Sequence, residues 1–161
     1  MNPSSNAAPQ VWTRDSFVVT DDPARIEPAS VHAFLASSYW AAGIPLETVQ
    51  RSLANSLCCG LYDSRRVGSQ QIGLARMITD RATFAYLCDV YVLPEYRGQG
   101  LGKWMMQCCM SHPDLQGLRR FNLVTRDAHS LYAPLGFCAV AHPDRYMEKL
   151  DPDVYKRAVS A

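Results

Sequence analysis

Two hydrophobic periods alternate along this chain, and their order outlines a fold. The β-branched run Phe17-Val18-Val19-Thr20 ends at Asp21-Asp22-Pro23 and reads as a strand. Pro28 stands where the first turn of a helix accepts proline, and Val31, Phe34, Leu35 and Tyr39 follow at helical spacing. Gly43-Ile44-Pro45 interrupts that stripe. Leu46, Val49 and Leu53 then mark a second amphipathic helix with Gln50 and Arg51 outward. From Leu57 the pattern changes. Leu57 to Asp63, Gln71 to Thr79 and Thr83 to Leu93 are rich in β-branched and aromatic residues, with Ser64 to Gln70 and Asp80-Arg81 as connections, which predicts an antiparallel meander. Helical spacing returns from Leu101 to Met110, burying Leu101, Trp104, Met105, Cys108 and Cys109, with Met105, Met106 and Met110 as core filler. His112-Pro113 stops that helix and Arg120 to Thr125 alternates as a strand. Asp127 is placed to cap a short helix through Tyr132, and Gly136 suits the left-handed position beyond its end. Phe137 to Ala141 and Tyr146 to Leu150 read as two final strands.

Composition narrows the class. A chain of 161 residues, 48% hydrophobic and 19% charged, is long enough for one globular domain with a core. Residues 1–15 read as a flexible N-terminal tail and 16–161 as that single domain. A net charge of +1 and the absence of a basic block give no reason to expect nucleic acid or a membrane surface as a partner. No apolar run approaches a membrane span, and the polar start has no apolar signal core, so the expected location is cytoplasmic. The six cysteines include two adjacent pairs, Cys58-Cys59 and Cys108-Cys109, and show no zinc spacing, so they read as reduced small hydrophobes with no metal.

The chemistry concentrates in Arg97-Gly98-Gln99-Gly100-Leu101-Gly102-Lys103, between a predicted strand and a predicted helix. Glycines let backbone N–H groups approach a ligand, and a helix start adds unpaired donors and the positive end of its dipole. The combination is an anion site suited to a phosphate or pyrophosphate. It is not a Walker A loop, because Arg97 replaces the first glycine and Trp104 the magnesium-binding hydroxyl. Nor is it a dinucleotide fingerprint, which would need glycine at Lys103 or Met105.

Arg97, Gly100 and Gly102 do fit Arg/Gln-x-x-Gly-x-Gly/Ala, and the loop thereby resembles the pyrophosphate cradle of the GNAT superfamily of acyl-CoA-dependent N-acetyltransferases. Two further stretches share the resemblance. Asp89 to Arg97 is similar to the family's fourth strand running through a proline turn into the loop. Leu131-Tyr132-Ala133-Pro134-Leu135-Gly136-Phe137 is similar to its Leu-Tyr-x-x-x-Gly-Phe element, with Pro134 as a departure. The resemblance covers roughly residues 17–150. It implies an α+β fold: a splayed mixed sheet of about seven strands flanked by about four helices, with acetyl-CoA in the cleft.

The same resemblance assigns expected roles. Backbone groups of Val90, Tyr91 and Val92 would meet the pantetheine arm, and amides from Gly98, Gln99, Gly100, Leu101, Gly102 and Lys103 the pyrophosphate, with charge from Arg97 and Lys103. Tyr132 occupies the family's general-acid position. Some family members carry a glutamate on the fourth strand, but the matching position here is near Tyr86. Asp89, Glu95 acting through water, and His129 are then the candidate bases, and each also has an ordinary reading as a capping or surface residue. Tyr39 and Trp40, in the connection between the first two helices, would line a pocket for the amine or simply finish the core. The expected activity is acetyl transfer to a small-molecule primary amine. The alternatives are protein or peptide N-acetylation and a non-catalytic acyl-CoA-binding regulator. Edge strands near the C-terminus leave a homodimer possible.

Overall fold

The computed structural model describes residues 8–157. Six strands form one sheet in chain order: β1 (Val11–Arg14), β2 (Phe17–Thr20), β3 (Leu57–Asp63), β4 (Gln70–Thr79), β5 (Phe84–Val92) and β6 (Arg120–Leu123). Neighbours are antiparallel except β5 and β6, which are parallel. The crossover between those two is α3 (Leu101–Met110), as a parallel pair requires. Helices α1 (Pro28–Leu35) and α2 (Leu46–Ala54) join β2 to β3, and single turns α4 (His129–Tyr132) and α5 (Val154–Arg157) follow β6.

Each face of the sheet carries its own core. The α3 face packs Leu57, Cys59, Leu61, Met77 and Leu87 against Leu101, Met105, Met106 and Cys109. The other packs Cys58, Leu74 and Tyr91 against Val31, Leu35 and Val49. The middle strand β3 is therefore buried along its whole length and reads as a continuous apolar run instead of an alternating one. All six cysteines are free thiols. Burial pushes the Cys58 thiol up to about 12, so it behaves as a small apolar group.

The sheet differs from the expected one at both ends. Val11–Arg14, inside the segment read as a tail, is strand β1. It pairs with β2 through a two-residue turn in which Asp15 takes φ +53, a conformation that a short polar residue tolerates. Residues 1–7 of the expected tail lie outside the described residues. At the other end, Phe137–Ala141 and Tyr146–Leu150 form no strands, so among the described residues the sheet has six strands instead of about seven. A strand needs a ladder partner, and this segment stays exposed: Met147 and Leu150 face solvent, and its link to β6 is the Tyr146 ring beside Arg120 and Asn122. β6 itself stops at Leu123, two residues short of the expected Thr125.

Asp63, the last residue of β3, fixes the base of the Gly-rich segment. Its buried carboxylate accepts hydrogen bonds from Arg65 Nε (2.9 Å), Nη2 (2.9 Å) and backbone N (3.0 Å), and from the Tyr96 hydroxyl (3.2 Å). The Arg65 hydrogen bonds, foremost among these, pull its pKa down to about 2. The folded value lies below the unfolded one of ~3.9, so its contribution is complete above pH ~4 and lost as pH falls toward about 2. Urea midpoints measured at pH 7, 4 and 2.5 are expected to fall steeply over the last interval. Asp63→Asn should be less stable at pH 7 and fall less from pH 4 to 2.5. An equal fall in both proteins would remove Asp63 from the acid response.

Candidate active site

β5 has a partner on both sides for only part of its length. Its first residues, Phe84 to Leu87, pair with Arg120 to Leu123 of β6. The chain then leaves the sheet at Val124, and β5 runs on to Val92 with one edge open. The register against β4 slips just beyond the fork. β4 advances two residues, Leu74 to Arg76, while β5 advances three, Tyr91 to Cys88. This is a β-bulge, and Asp89 within it takes φ +50, unusual for a non-glycine residue. Gly73 helps to set the approach on the near side, because a Cβ there would come within 2.7 Å of the Tyr91 carbonyl oxygen.

The Leu93 N–H donates to the Ile72 carbonyl (2.8 Å), which sets the phase of the β4–β5 ladder. By the two-residue alternation of an antiparallel pair, Tyr91 turns its backbone groups toward β4, whereas Val90 and Val92 turn theirs to the open edge. Of the three expected backbone sites, Tyr91 is thus the exception. Its side chain stacks on Phe34 in the α1 core (3.9 Å between centroids, planes 9° apart). The Val92 carbonyl accepts from Arg97 Nε (2.9 Å), so Arg97 folds back along the strand end.

Beyond the strand, Pro94–Tyr96 makes one 3-10 turn and the Gly-rich loop begins. Gly98 (φ +78) and Gly100 (φ +71) both adopt the left-handed region, and nothing lies within 4 Å of where their Cβ atoms would stand. Gly100 is the N-cap of α3 and carries no side-chain cap. Among the described residues, the backbone N–H groups from Gly98 to Lys103 make no hydrogen bond to the protein. They form a concave row of donors at the positive end of α3. Lys103 is exposed beside it.

Arg14, a residue absent from the sequence expectation, braces this loop. Its Nη2 donates to the Gln99 carbonyl (3.1 Å), and its guanidinium lies over the Trp104 ring (5.0 Å). The contact bridges 85 residues of sequence, and the only local signal is a basic residue in a short alternating run.

The fork opens into a cleft of about 420 Å3 lined by Tyr39, Trp40, Cys88, Asp89, Val90, Thr125, Arg126 and Tyr132, among others. Tyr132 is brought here because α4 is only one turn long. The helix ends at Tyr132 and passes into a 3-10 turn over Ala133–Leu135, where Pro134 is not required to donate, and Gly136 (φ +94) closes it. Asp127 does not cap α4. The Thr125 hydroxyl accepts from the Ala128 N–H instead (2.9 Å), and Asp127 pairs with Arg126 in solvent. The Tyr132 ring packs edge-on to Phe137 (6.0 Å), and burial pushes its phenol up to about 12.

The three candidate bases separate. Asp89 lines the cleft, but Arg76 Nε donates to its Oδ2 (2.8 Å) and Trp40 Nε1 to its Oδ1 (3.0 Å). Burial works against the Arg76 cation. Asp89 and the neighbouring Cys88 and Cys58 outweigh it, so its pKa ends above the ordinary value. Glu95 sits exposed in the turn after β5, and His129 is exposed on α4; neither lines the cleft. Tyr39 and Trp40 form one wall, edge-on to each other (5.1 Å), and the Arg126 guanidinium of the opposite wall lies 3.9 Å from the Tyr39 ring centre. That face of Tyr39, offered by the sequence to a cationic amine, is already covered. A larger groove of about 680 Å3, beside Asp22, Ile26, Leu53 and Cys58, contains none of these groups.

The acetyltransferase (GNAT) domain family matches residues 55–139, which span β3 through the Gly-Phe element after α4. A candidate acetyltransferase of Gibberella zeae is 39% identical over 143 residues, covering 77% of this chain and 80% of the relative. The chain belongs to the GNAT acetyltransferase family. Among solved structures, a candidate GNAT acetyltransferase from Xanthomonas campestris superposes with a TM-score of 0.82 at 45% identity, over 89% of this chain and 99% of that one. A candidate acetyltransferase from Clostridium acetobutylicum, crystallised with acetyl-CoA, shares the fold at a TM-score of 0.55 and 16% identity, over 83% and 94% of the two chains. As a GNAT acetyltransferase the protein is an acyltransferase enzyme, and the forked sheet is the family's architecture seen in this chain.

Proposed function

We propose that this enzyme transfers the acetyl group of acetyl-CoA to a primary amine of a small molecule, by direct attack within a ternary complex. One observation carries the reading. The unpartnered donors from Gly98 to Lys103 continue into the open edge of β5 and from there into the cleft that holds Tyr132. The donor row suits a pyrophosphate, with Arg14 bracing the loop. The open Val90 and Val92 groups suit the amide-bearing pantetheine arm, which would pair with β5 as β6 does further back. The acetyl-CoA seen with the Clostridium protein agrees with this choice of donor.

The step then follows from the residues at the fork. The neutral amine's lone pair forms the new N–C bond while the carbonyl π pair moves to oxygen. The Val90 N–H on the open edge stabilises that oxygen, a contribution of roughly 3 kcal/mol for such donors. Collapse breaks the C–S bond and leaves the pair on sulfur, and the nitrogen sheds its proton to water. Tyr132, with its phenol near 12, keeps its proton through the neutral range and donates a hydrogen bond to the departing sulfur. Full transfer to a thiolate of pKa ~8.5 is uphill by about 5 kcal/mol, so the phenol stabilises the leaving group more than it protonates it.

Of the two carboxylates that line the cleft, Asp89 has both oxygens engaged, and Asp127 is exposed to solvent and paired with Arg126 through Oδ2. A lysine-like amine of pKa ~10.4 costs about 4.6 kcal/mol to deprotonate at pH 7, and an amine near ~7.8 only about 1 kcal/mol. With Asp89 engaged and Asp127 out in solvent, the reading that asks least of the protein is an acceptor amine of low pKa, with water taking its proton.

The function is tested by thiol release from acetyl-CoA with tyramine, spermidine, lysine and an alanyl dipeptide. Amine-dependent release rising with pH is expected, together with a rise in Tm on adding acetyl-CoA. Gly100→Val should abolish that rise; valine at φ +71 is strained and lowers the unliganded Tm as well, so the rise is read against the variant's own unliganded Tm. No thermal shift at millimolar acetyl-CoA would refute the donor assignment. Thiol release independent of every amine would favour a sensor of acyl-CoA.

Tyr132→Phe keeps the ring and its packing on Phe137 but removes the hydroxyl. Turnover should fall by about 10²-fold with acetyl-CoA affinity unchanged. The reverse pattern, weaker acetyl-CoA binding at full turnover, would make Tyr132 a wall residue only.

A further inference from the structure

Two donors from separate elements meet on the carboxylate of a third. Arg76 comes from β4, Asp89 from the bulge of β5, and Trp40 from the connection between α1 and α2. Arg76 and Asp89 are nearly buried, with side-chain exposures of 13% and 10%. The second arm of Arg76 donates from Nη1 to the Ser56 hydroxyl (3.0 Å), which in turn donates to the Ser52 carbonyl (2.7 Å) in α2. A hydrogen-bonded chain thus runs from α2 through Arg76 and Asp89 to Trp40.

Two features distinguish this chain from an ordinary structural ion pair. First, Asp89 is held at φ +50 inside a strand, a conformation that persists only where the surroundings over-determine it. The bulge it creates sits directly beside the open edge of Val90. Second, the chain ends on a half-exposed side chain. Trp40 is 43% exposed, and water could satisfy its indole N–H equally well. A buried carboxylate engaged there gains direction more than stability. Trp40 also leans on Phe34 (6.1 Å), which stacks on Tyr91, so two contacts tie the wall to β5.

We propose that the Arg76–Asp89 pair is the positioning device of acetyl transfer: it holds Trp40, and with it the acceptor, at a set distance from the Val90 edge where the thioester lies. The inference rests on the acetyl-transfer reading given above. Asp89 then acts through Trp40 and through the strand it bends, and Arg76 acts through Asp89. Neither takes the acceptor's proton.

The test uses Asp89→Asn, Trp40→Phe, their double variant, Arg76→Met and Arg76→Lys. Asparagine tolerates a positive φ, so Asp89→Asn keeps the bulge while removing the charge that orders both donors. The first readout needs no acceptor: hydrogen exchange of the Trp40 indole N–H, followed by 15N NMR in the acetyl-CoA complex. Asp89→Asn should speed that exchange about tenfold. Arg76→Met should do the same and Arg76→Lys less. The second readout uses the best amine of the panel above. Its KM should rise about tenfold in Asp89→Asn and in Trp40→Phe, the loss of one charge-assisted hydrogen bond. The acetyl-CoA Kd should stay within about twofold of the parent's. The double variant should be no worse than Asp89→Asn alone, because the two residues act in series.

Unchanged indole exchange in Asp89→Asn overturns the proposal. Multiplicative effects in the double variant do so too, as does an acetyl-CoA Kd that worsens in step with the amine KM. If the parent enzyme turns over no amine at all, the acetyl-transfer reading fails by itself, and the exchange experiment still decides whether Asp89 orders Trp40.

Discussion

The site depends on a shortage of backbone partners. β6 offers β5 four residues of parallel pairing and then turns away, so the rest of β5 carries N–H and C=O groups with no ladder on that side. An open edge of this kind is a template for pairing, and between two walls it suits an extended, amide-bearing ligand such as the donor proposed above. Arg97 caps the last carbonyl of that edge, which leaves the groups nearer the fork available. Had β6 continued to Thr125 as its sequence pattern suggests, the pairing would have run on to Asp89 and the open edge would have been shortened from the fork.

The bulge at Asp89 gives the open edge its direction. One extra residue on β5 rotates the strand where it leaves β6, and the cost of φ +50 at an aspartate is met by the Arg76 and Trp40 hydrogen bonds. Charge balance in the cleft follows from the same arrangement. Asp89 is neutralised by Arg76, and Arg126 is shared between Asp127 and the Tyr39 ring. A site with its charges so paired suits the neutral attacking amine of the proposed reaction.

Rigidity at the anion end comes from elsewhere. Tyr96, one turn before the glycines, is anchored to Asp63 by its hydroxyl and to Phe17 by an edge-on ring contact of 6.4 Å. Arg14 holds the loop from the other side. The glycines can thus adopt left-handed geometry within a fixed frame, which pre-organises the donor row for the proposed pyrophosphate.

The sequence alone determined whatever depends on local pattern. The elements from Leu57 to Met110, the glycine turn before α3, the burial of Met105 and Met106 and the family itself all rest on neighbouring residues whose spacing states their role. Tertiary structure decided what depends on finding a partner. Val11–Arg14 became a strand because β2 lies beside it, and Tyr146–Leu150 did not become one because no ladder accepts it. Nothing in the sequence signals that Arg76, 13 residues away from Asp89, and Trp40, 49 away, each donate to one of its oxygens. Arg14 gave no sign of its role because its contact crosses 85 residues. Periodicity reports which face of an element is buried; the identity of the group opposite that face is settled only when the sheet closes.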